Sequence, residues 1–95
     1  MQTAGLLGLY IVTLNIWGLP RIGHITPAPL REERVQSICT TLKANATTGW
    51  DVVLLQEVWV AKDRKTLKEC GYAFSLDLED PRRQLDSGLL LLSRF

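Results

Sequence analysis

An α/β fold is what this chain predicts, on three observations: a β-branched and aromatic run at residues 9–16, a helical apolar period at residues 30–46, and four consecutive apolar residues at Val52–Leu55. Taken in order they read as strand, helix and strand, a unit whose two strands run parallel with a right-handed crossover between them. The 95 residues hold one core at most, so residues 1–95 are read as a single domain or part of one. A hydrophobic fraction of 46% sets the chain apart from disordered and fibrous sequences. The formal net charge of +1 supplies no field that would steer the chain to nucleic acid or to an anionic membrane, which leaves only a local basic patch as a route to such partners.

Residues 1–20 carry no charged side chain, which raises the question of a targeting segment. A secretory signal wants a basic start and a small-residue cleavage site, whereas here Thr13, Asn15 and Trp17 interrupt the apolar run and Pro20-Arg21 follows it. The segment is also too short and too polar to span a bilayer. The expectation is an intracellular protein, soluble or peripheral, with no transmembrane segment in this chain.

Residues 9–16 (Leu-Tyr-Ile-Val-Thr-Leu-Asn-Ile) make the first expected strand, with Asn15 near its end. Gly18, Pro20, Gly23, Pro27 and Pro29 then mark a long loop, and His24 within it is expected to face solvent. In residues 30–46 the apolar positions Val35, Ile38, Cys39, Leu42 and Ala46 recur at three- and four-residue steps, while Glu32 and Glu33 favour the positive end of the helix dipole. Thr47, Thr48 and Gly49 end that helix. Val52–Leu55 is apolar enough for a strand covered on both faces, and it stops at Gln56-Glu57.

Residues 61–70 alternate charge around Leu67 and predict a short exposed helix stopped by Gly71; residues 72–78 predict a strand. Glu79-Asp80-Pro81-Arg82-Arg83 reads as a charged turn, its arginines solvated. Residues 87–93 (Ser-Gly-Leu-Leu-Leu-Leu-Ser) form a last strand, apolar throughout, which wants cover on both faces. With nothing in the chain to supply that cover, residues 89–92 should be poorly covered on one face or edge. Cys39 and Cys70 have no metal-type spacing and lie in separate helical segments, where isolated thiols behave as small buried hydrophobes; a disulfide between them is the alternative. Asn45-Ala46-Thr47 fits the glycosylation acceptor pattern, which matters only in a secreted protein.

The first functional inference comes from topology. Parallel strands finish on a common side of their sheet, where ligands bind in open α/β folds. Asn15 and Glu57 each close one of the two expected strands, so they should share a rim. A carboxylate there needs a partner: water, an arginine, or a hard divalent cation. Trp17 and Trp59 flank the pair and are weak candidates for a substrate surface suited to a lipid or a choline head group; the alternative is that they pack the sheet edge.

Thr13-Leu14-Asn15-Ile16-Trp17-Gly18-Leu19-Pro20, Glu33-Arg34-Val35, Asp51-Val52-Val53-Leu54-Leu55-Gln56-Glu57-Val58-Trp59 and Ser87-Gly88-Leu89 with Ser93-Arg94 occur in that order. The series resembles the amino-terminal part of the endonuclease/exonuclease/phosphatase superfamily, and the Trp-Gly-Leu-Pro and Gln-Glu-Val-Trp stretches look most like its neutral sphingomyelinase branch. The resemblance implies the amino-terminal portion of a two-sheet α/β sandwich with a Mg²⁺ site at the strand ends. It implies Glu57 as a metal ligand and Asn15 as the active-site asparagine. The implied reaction is phosphodiester hydrolysis, in this branch of sphingomyelin to ceramide and phosphocholine, with a histidine as general base.

The family's Asp-x-Asn motif and its carboxyl-terminal Asp-His pair have no counterpart here, and His24 matches no family motif. The 95 residues are therefore expected to be inactive by themselves. Other readings are a related endonuclease or exonuclease acting on nucleic acid, an inositol-phosphate phosphatase, and a non-catalytic binding or decoy module.

Overall fold

The computed structural model describes residues 2–6, 8–17, 30–77 and 88–95. His24, Asp80, Arg82, Arg83 and Ser87 lie outside the described residues. The elements run β1 (Gln2–Leu6), β2 (Leu9–Asn15), α1 (Arg31–Asn45), β3 (Val52–Gln56), α2 (Ala61–Lys68), β4 (Phe74–Asp77) and β5 (Leu90–Ser93). They form one five-stranded sheet of order β1-β2-β3-β5-β4. The expected α/β class holds, and β2 and β3 pair in parallel around α1. The other pairings are antiparallel, which makes the sheet mixed. β1 was not foreseen: Gln-Thr-Ala-Gly-Leu has neither β-branched density nor alternation, and it is a strand because Gly8, at φ 84, turns it back onto β2.

The core lies between one face of the sheet and the two helices. Val12 and Ile16 of the β2 segment, Val53 and Leu55 of β3, and Leu90 and Leu92 of β5 are buried against Val35, Cys39 and Leu42 of α1 and Leu67 of α2. The three- and four-residue spacing in α1 places these side chains on the sheet as the sequence predicts.

The opposite face is largely bare. Ile11, Thr13, Val52, Leu54 and Leu91 are only partly buried there, and Phe74 and Leu76 are 58% and 52% exposed. In register these residues form a continuous strip, since Ile11 pairs with Val52, Leu54 with Leu91 and Leu76 with Leu91. The expectation that residues 89–92 are poorly covered on one face is met, for Leu90 and Leu92 are buried while Leu89 is exposed and Leu91 half-buried. Two-sided burial of Val52–Leu55 is corrected to one-sided: alternate residues are buried and the others are not, because both helices lie on the same side of the sheet.

Two further corrections concern the helices. Cys39 and Cys70 are not free thiols but are joined as a disulfide, with their Cα atoms 5.3 Å apart. Helical separation in sequence hid this proximity. α1 and α2 pack side by side, and Gly71, at φ 98, lets the end of α2 close on α1, where a Cβ would meet Ala46 Cβ at 3.3 Å and Lys43 Cα at 3.5 Å. Residues 61–70 are helical as expected but not simply exposed, because Asp63 and Arg64 are almost fully buried. Asp63 accepts from Arg31 of α1, tying the two helices at their first turns. Arg64 reaches beneath the sheet edge to donate to Val58 O at 2.8 Å, Leu89 O at 2.6 Å and Asp77 Oδ1 at 2.9 Å. Alternating charge is a poor guide to exposure when a long side chain finds buried carbonyls to bind.

At the amino ends of β2 and β3 a buried carboxylate fastens the strands. Asp51 Oδ2 accepts the Tyr10 N–H at 2.7 Å, its own N–H donates to Tyr10 O at 2.9 Å, and Arg94 pairs with its other oxygen. Tyr72 beside it donates its hydroxyl to Trp50 O at 2.8 Å. Burial, with Asp51 adding to it and Arg94 opposing it, raises the Tyr72 pKa above its ordinary value. Among the described residues no helix is long and apolar enough to cross a membrane.

Candidate active site

The carboxyl ends of β2 and β3 meet at one rim. Asn15, the last residue of β2, is in register with Gln56, the last of β3, and Ile16 N donates to Gln56 O at 2.9 Å to extend the pairing by one step. Asn15 and Gln56 lie on the face of the sheet away from the helices, and Glu57 follows directly at the rim. Neither candidate is enclosed by leucines: Asn15 is exposed and Glu57 partly exposed.

Local backbone geometry at both strand ends is unusual. Trp17 has φ 51 and Glu57 φ 64, the left-handed region that side chains other than glycine enter at a cost of roughly 1–3 kcal/mol. At Trp17 the turn is closed by Asn15, whose Oδ1 accepts the Trp17 N–H at 2.9 Å. Arg34, in the first turns of α1, donates to Ile16 O at 2.8 Å and Trp17 O at 2.7 Å and lies over the Trp17 ring, 5.0 Å from its centroid. Sequence reasoning noted Arg34 only as part of a motif. The signal was its position one turn into a helix that starts on the side of the rim, where strand-end carbonyls need donors.

At Glu57 the turn is fixed from β5. Val58 N donates to Gly88 O at 2.9 Å, which ties the residue after Glu57 to the start of β5. Trp59 covers Gly88 so closely that a Cβ there would lie 2.9 Å from two ring carbons, and Gly88 itself has φ 71. From this position the Trp59 indole N–H donates to Glu57 Oε2. Gly88, read as a place of close backbone approach, is that. Trp59 packs the sheet edge and also holds the carboxylate; Trp17 is 54% exposed beside Asn15.

The donor set of this rim is oxygen: one carboxylate and one amide, with the Gln56 amide next to them in register. The Asn15 Oδ1 is engaged by the backbone, so its Nδ2 hydrogens are the end available to donate to an anion. Mg²⁺ is commonly held by one or two carboxylates together with waters and substrate oxygens, and of these the rim supplies the Glu57 carboxylate. No group of three or more His, Cys, Asp or Glu residues arranged to hold a metal occurs among the described residues. A cavity of about 470 Å³ between the first turns of the two helices, lined by Glu32, Gln36, Lys62 and Thr66 among others, includes neither Asn15 nor Glu57. Of its charged residues, Lys62 pairs with Glu32 at 3.6 Å and Asp63 with Arg31.

No family model matches the chain. It is similar to a protein of Drosophila melanogaster described as "Putative neutral sphingomyelinase", with 41% identity over 64 residues, or 67% of this chain. That stretch is 13% of the fly protein, so the chain spans a small part of the relative's length.

Proposed function

We propose that this chain is the amino-terminal part of a Mg²⁺-dependent phosphodiesterase of the endonuclease/exonuclease/phosphatase type, acting on sphingomyelin to give ceramide and phosphocholine. The observation that carries the reading is the register that ends β2 at Asn15 opposite Gln56, the last residue of β3, with Glu57 next in the chain at the same rim. The 41% identity to the fly protein favours sphingomyelin over nucleic acid or an inositol phosphate as the substrate.

In this reading Glu57 holds the ion and Asn15 donates from Nδ2 to a phosphoryl oxygen. An ion held by Glu57 would supply charge neutralisation for the phosphate and the leaving oxygen. The chain's own contribution is positional. The hydrogen bond from Trp17 N sets the Asn15 amide plane, Trp59 sets the Glu57 carboxylate, and Arg34 locks the turn between β2 and the residues that follow. The general base and further acids come from elsewhere in the protein, and the bare apolar face of the sheet receives the second sheet of the sandwich. General-base assistance typically contributes about 10²–10⁴-fold in rate, so the 95 residues alone should turn over no substrate measurably.

The test is a chimera in which this chain replaces the matching segment of the fly protein. Hydrolysis of sphingomyelin in mixed micelles with Mg²⁺, lost in Glu57→Gln and in Asn15→Ala, is the expected result. Activity that survives Glu57→Gln, or a preference for DNA over sphingomyelin, would overturn the proposal.

A further inference from the structure

Two features of the helical layer take no part in the rim: the Cys39–Cys70 disulfide, and the Asn45-Ala46-Thr47 tripeptide at the end of α1. Disulfides form and persist in oxidising compartments, whereas reducing ones keep neighbouring cysteines as thiols. Cys39 of α1 and Cys70, just after α2, are both buried and meet with Cα atoms 5.3 Å apart, within the range a disulfide requires. Residues 1–20 read alone pointed to an intracellular protein; the disulfide bears on the same question from inside the fold, and it points to an oxidising compartment. In such a compartment an Asn-x-Thr tripeptide is an acceptor for N-linked oligosaccharide.

We infer that Asn45 is an N-glycosylation site, on a chain that folds in an oxidising compartment. The folded geometry has room for the sugar. Asn45 is the last residue of α1 and partly exposed, with Ala44, Thr47 and Thr48 exposed around it. Its Nδ2 donates to Thr41 O at 2.8 Å, which uses one of the two amide hydrogens and leaves the other for substitution. Gly49 presents no side chain where a Cβ would stand 3.5 Å from Asn45 Oδ1. Transfer from a lipid-linked oligosaccharide diphosphate forms a bond from Nδ2 to the anomeric carbon and breaks that carbon's bond to the diphosphate oxygen. The diphosphate departs with the bonding electrons, the nitrogen loses one proton to solvent, and nothing is oxidised or reduced. Position suits the modification: α1 lies on the face of the sheet opposite the bare apolar strip, and Asn45 is about 16 Å along the helix from Arg34 at the rim. A glycan there obstructs neither the strip nor Asn15 and Glu57, and the inference does not depend on what those two residues do.

The test uses the protein isolated from its native cells, with free thiols alkylated before lysis. Enzymatic release of N-linked sugar in H₂¹⁸O, followed by peptide mass spectrometry, should find an ¹⁸O-labelled aspartate at position 45 and Cys39 joined to Cys70. In the same cells Thr47→Ala, at an exposed position, should lose the glycan and its mobility shift on electrophoresis while keeping the wild-type melt, and Asn45→Gln should lose the shift as well. An unmodified Asn45 in protein whose two cysteines are paired overturns the glycan assignment. Recovery of Cys39 and Cys70 as alkylated thiols overturns the compartment and the assignment with it. A mobility shift that persists in Thr47→Ala and in Asn45→Gln places the sugar elsewhere and overturns the assignment too.

Discussion

Arg64 braces the underside of the rim, and its replacement by methionine is the sharpest test of how the strand ends are held. The side chain is 2% exposed and donates to Val58 O and Leu89 O, the carbonyls that follow Glu57 and Gly88, as well as to Asp77. Methionine fills the space but leaves the carbonyls without this donor, and each buried group so stranded costs about 1–3 kcal/mol. Asp77 is partly exposed and keeps Lys68 as a partner, so the stranded carbonyls carry most of the loss. A 95-residue domain has roughly 5–14 kcal/mol in total, at about 0.05–0.15 kcal/mol per residue, so Arg64→Met should remove a third or more of the stability. Urea denaturation followed by far-ultraviolet circular dichroism measures this. The double variant with Asp77→Ala should be less unstable than the sum of the single losses, with a coupling of about 0.5–3 kcal/mol, because the two share one interaction. A loss below about 1 kcal/mol, or strict additivity, would refute the bracing role.

Other outcomes follow from the same geometry. The Cys39–Cys70 disulfide closes a loop with a sequence separation of 31, and replacing both cysteines by serine should cost about 3–4 kcal/mol, read as a lowered midpoint in denaturant under oxidising conditions. Gly88→Ala forces a Cβ against the Trp59 ring in a left-handed conformation and should destabilise the chain by about 2–4 kcal/mol, with a shifted Trp59 indole resonance in whatever fraction stays folded. Tyr72 has a raised pKa in the folded chain, so above its ordinary value near 10 the unfolded state loses the proton first. Its stabilising contribution is complete below that pH and is lost as pH rises through the folded value. Tyr72→Phe should be less stable at pH 7, for want of the hydrogen bond to Trp50 O, and should show a shallower decline in alkaline melts.

What could be read in advance was what periodicity encodes. β2, α1 and β3 fall within a residue or so of the expected bounds, because β-branched runs and three- and four-residue apolar steps depend on local burial alone. The shared rim of Asn15 and Glu57 followed from parallel pairing, a topological consequence that needs no side-chain detail. What escaped depended on approach between distant segments. The disulfide requires two helices to close through Gly71, β1 exists only as the hairpin partner of β2, and Arg64 is buried because three separate segments offer it acceptors. Arg34 and the Trp59 donor escaped for the same reason: each acts on a strand end whose turn, left-handed at Trp17 and at Glu57, cannot be anticipated from residue type.

The central claim is that a divalent ion seats at Glu57 within reach of Asn15. Mn²⁺ in place of Mg²⁺, added at low stoichiometry to the ¹⁵N-labelled chain, reports it directly through paramagnetic line broadening. Broadening centred on the Asn15 amide, the Glu57 and Val58 backbone and the Trp59 indole, and abolished by Glu57→Gln, is the expected pattern. Broadening centred instead on the acidic first turns of α1, or unchanged by Glu57→Gln, would contradict it.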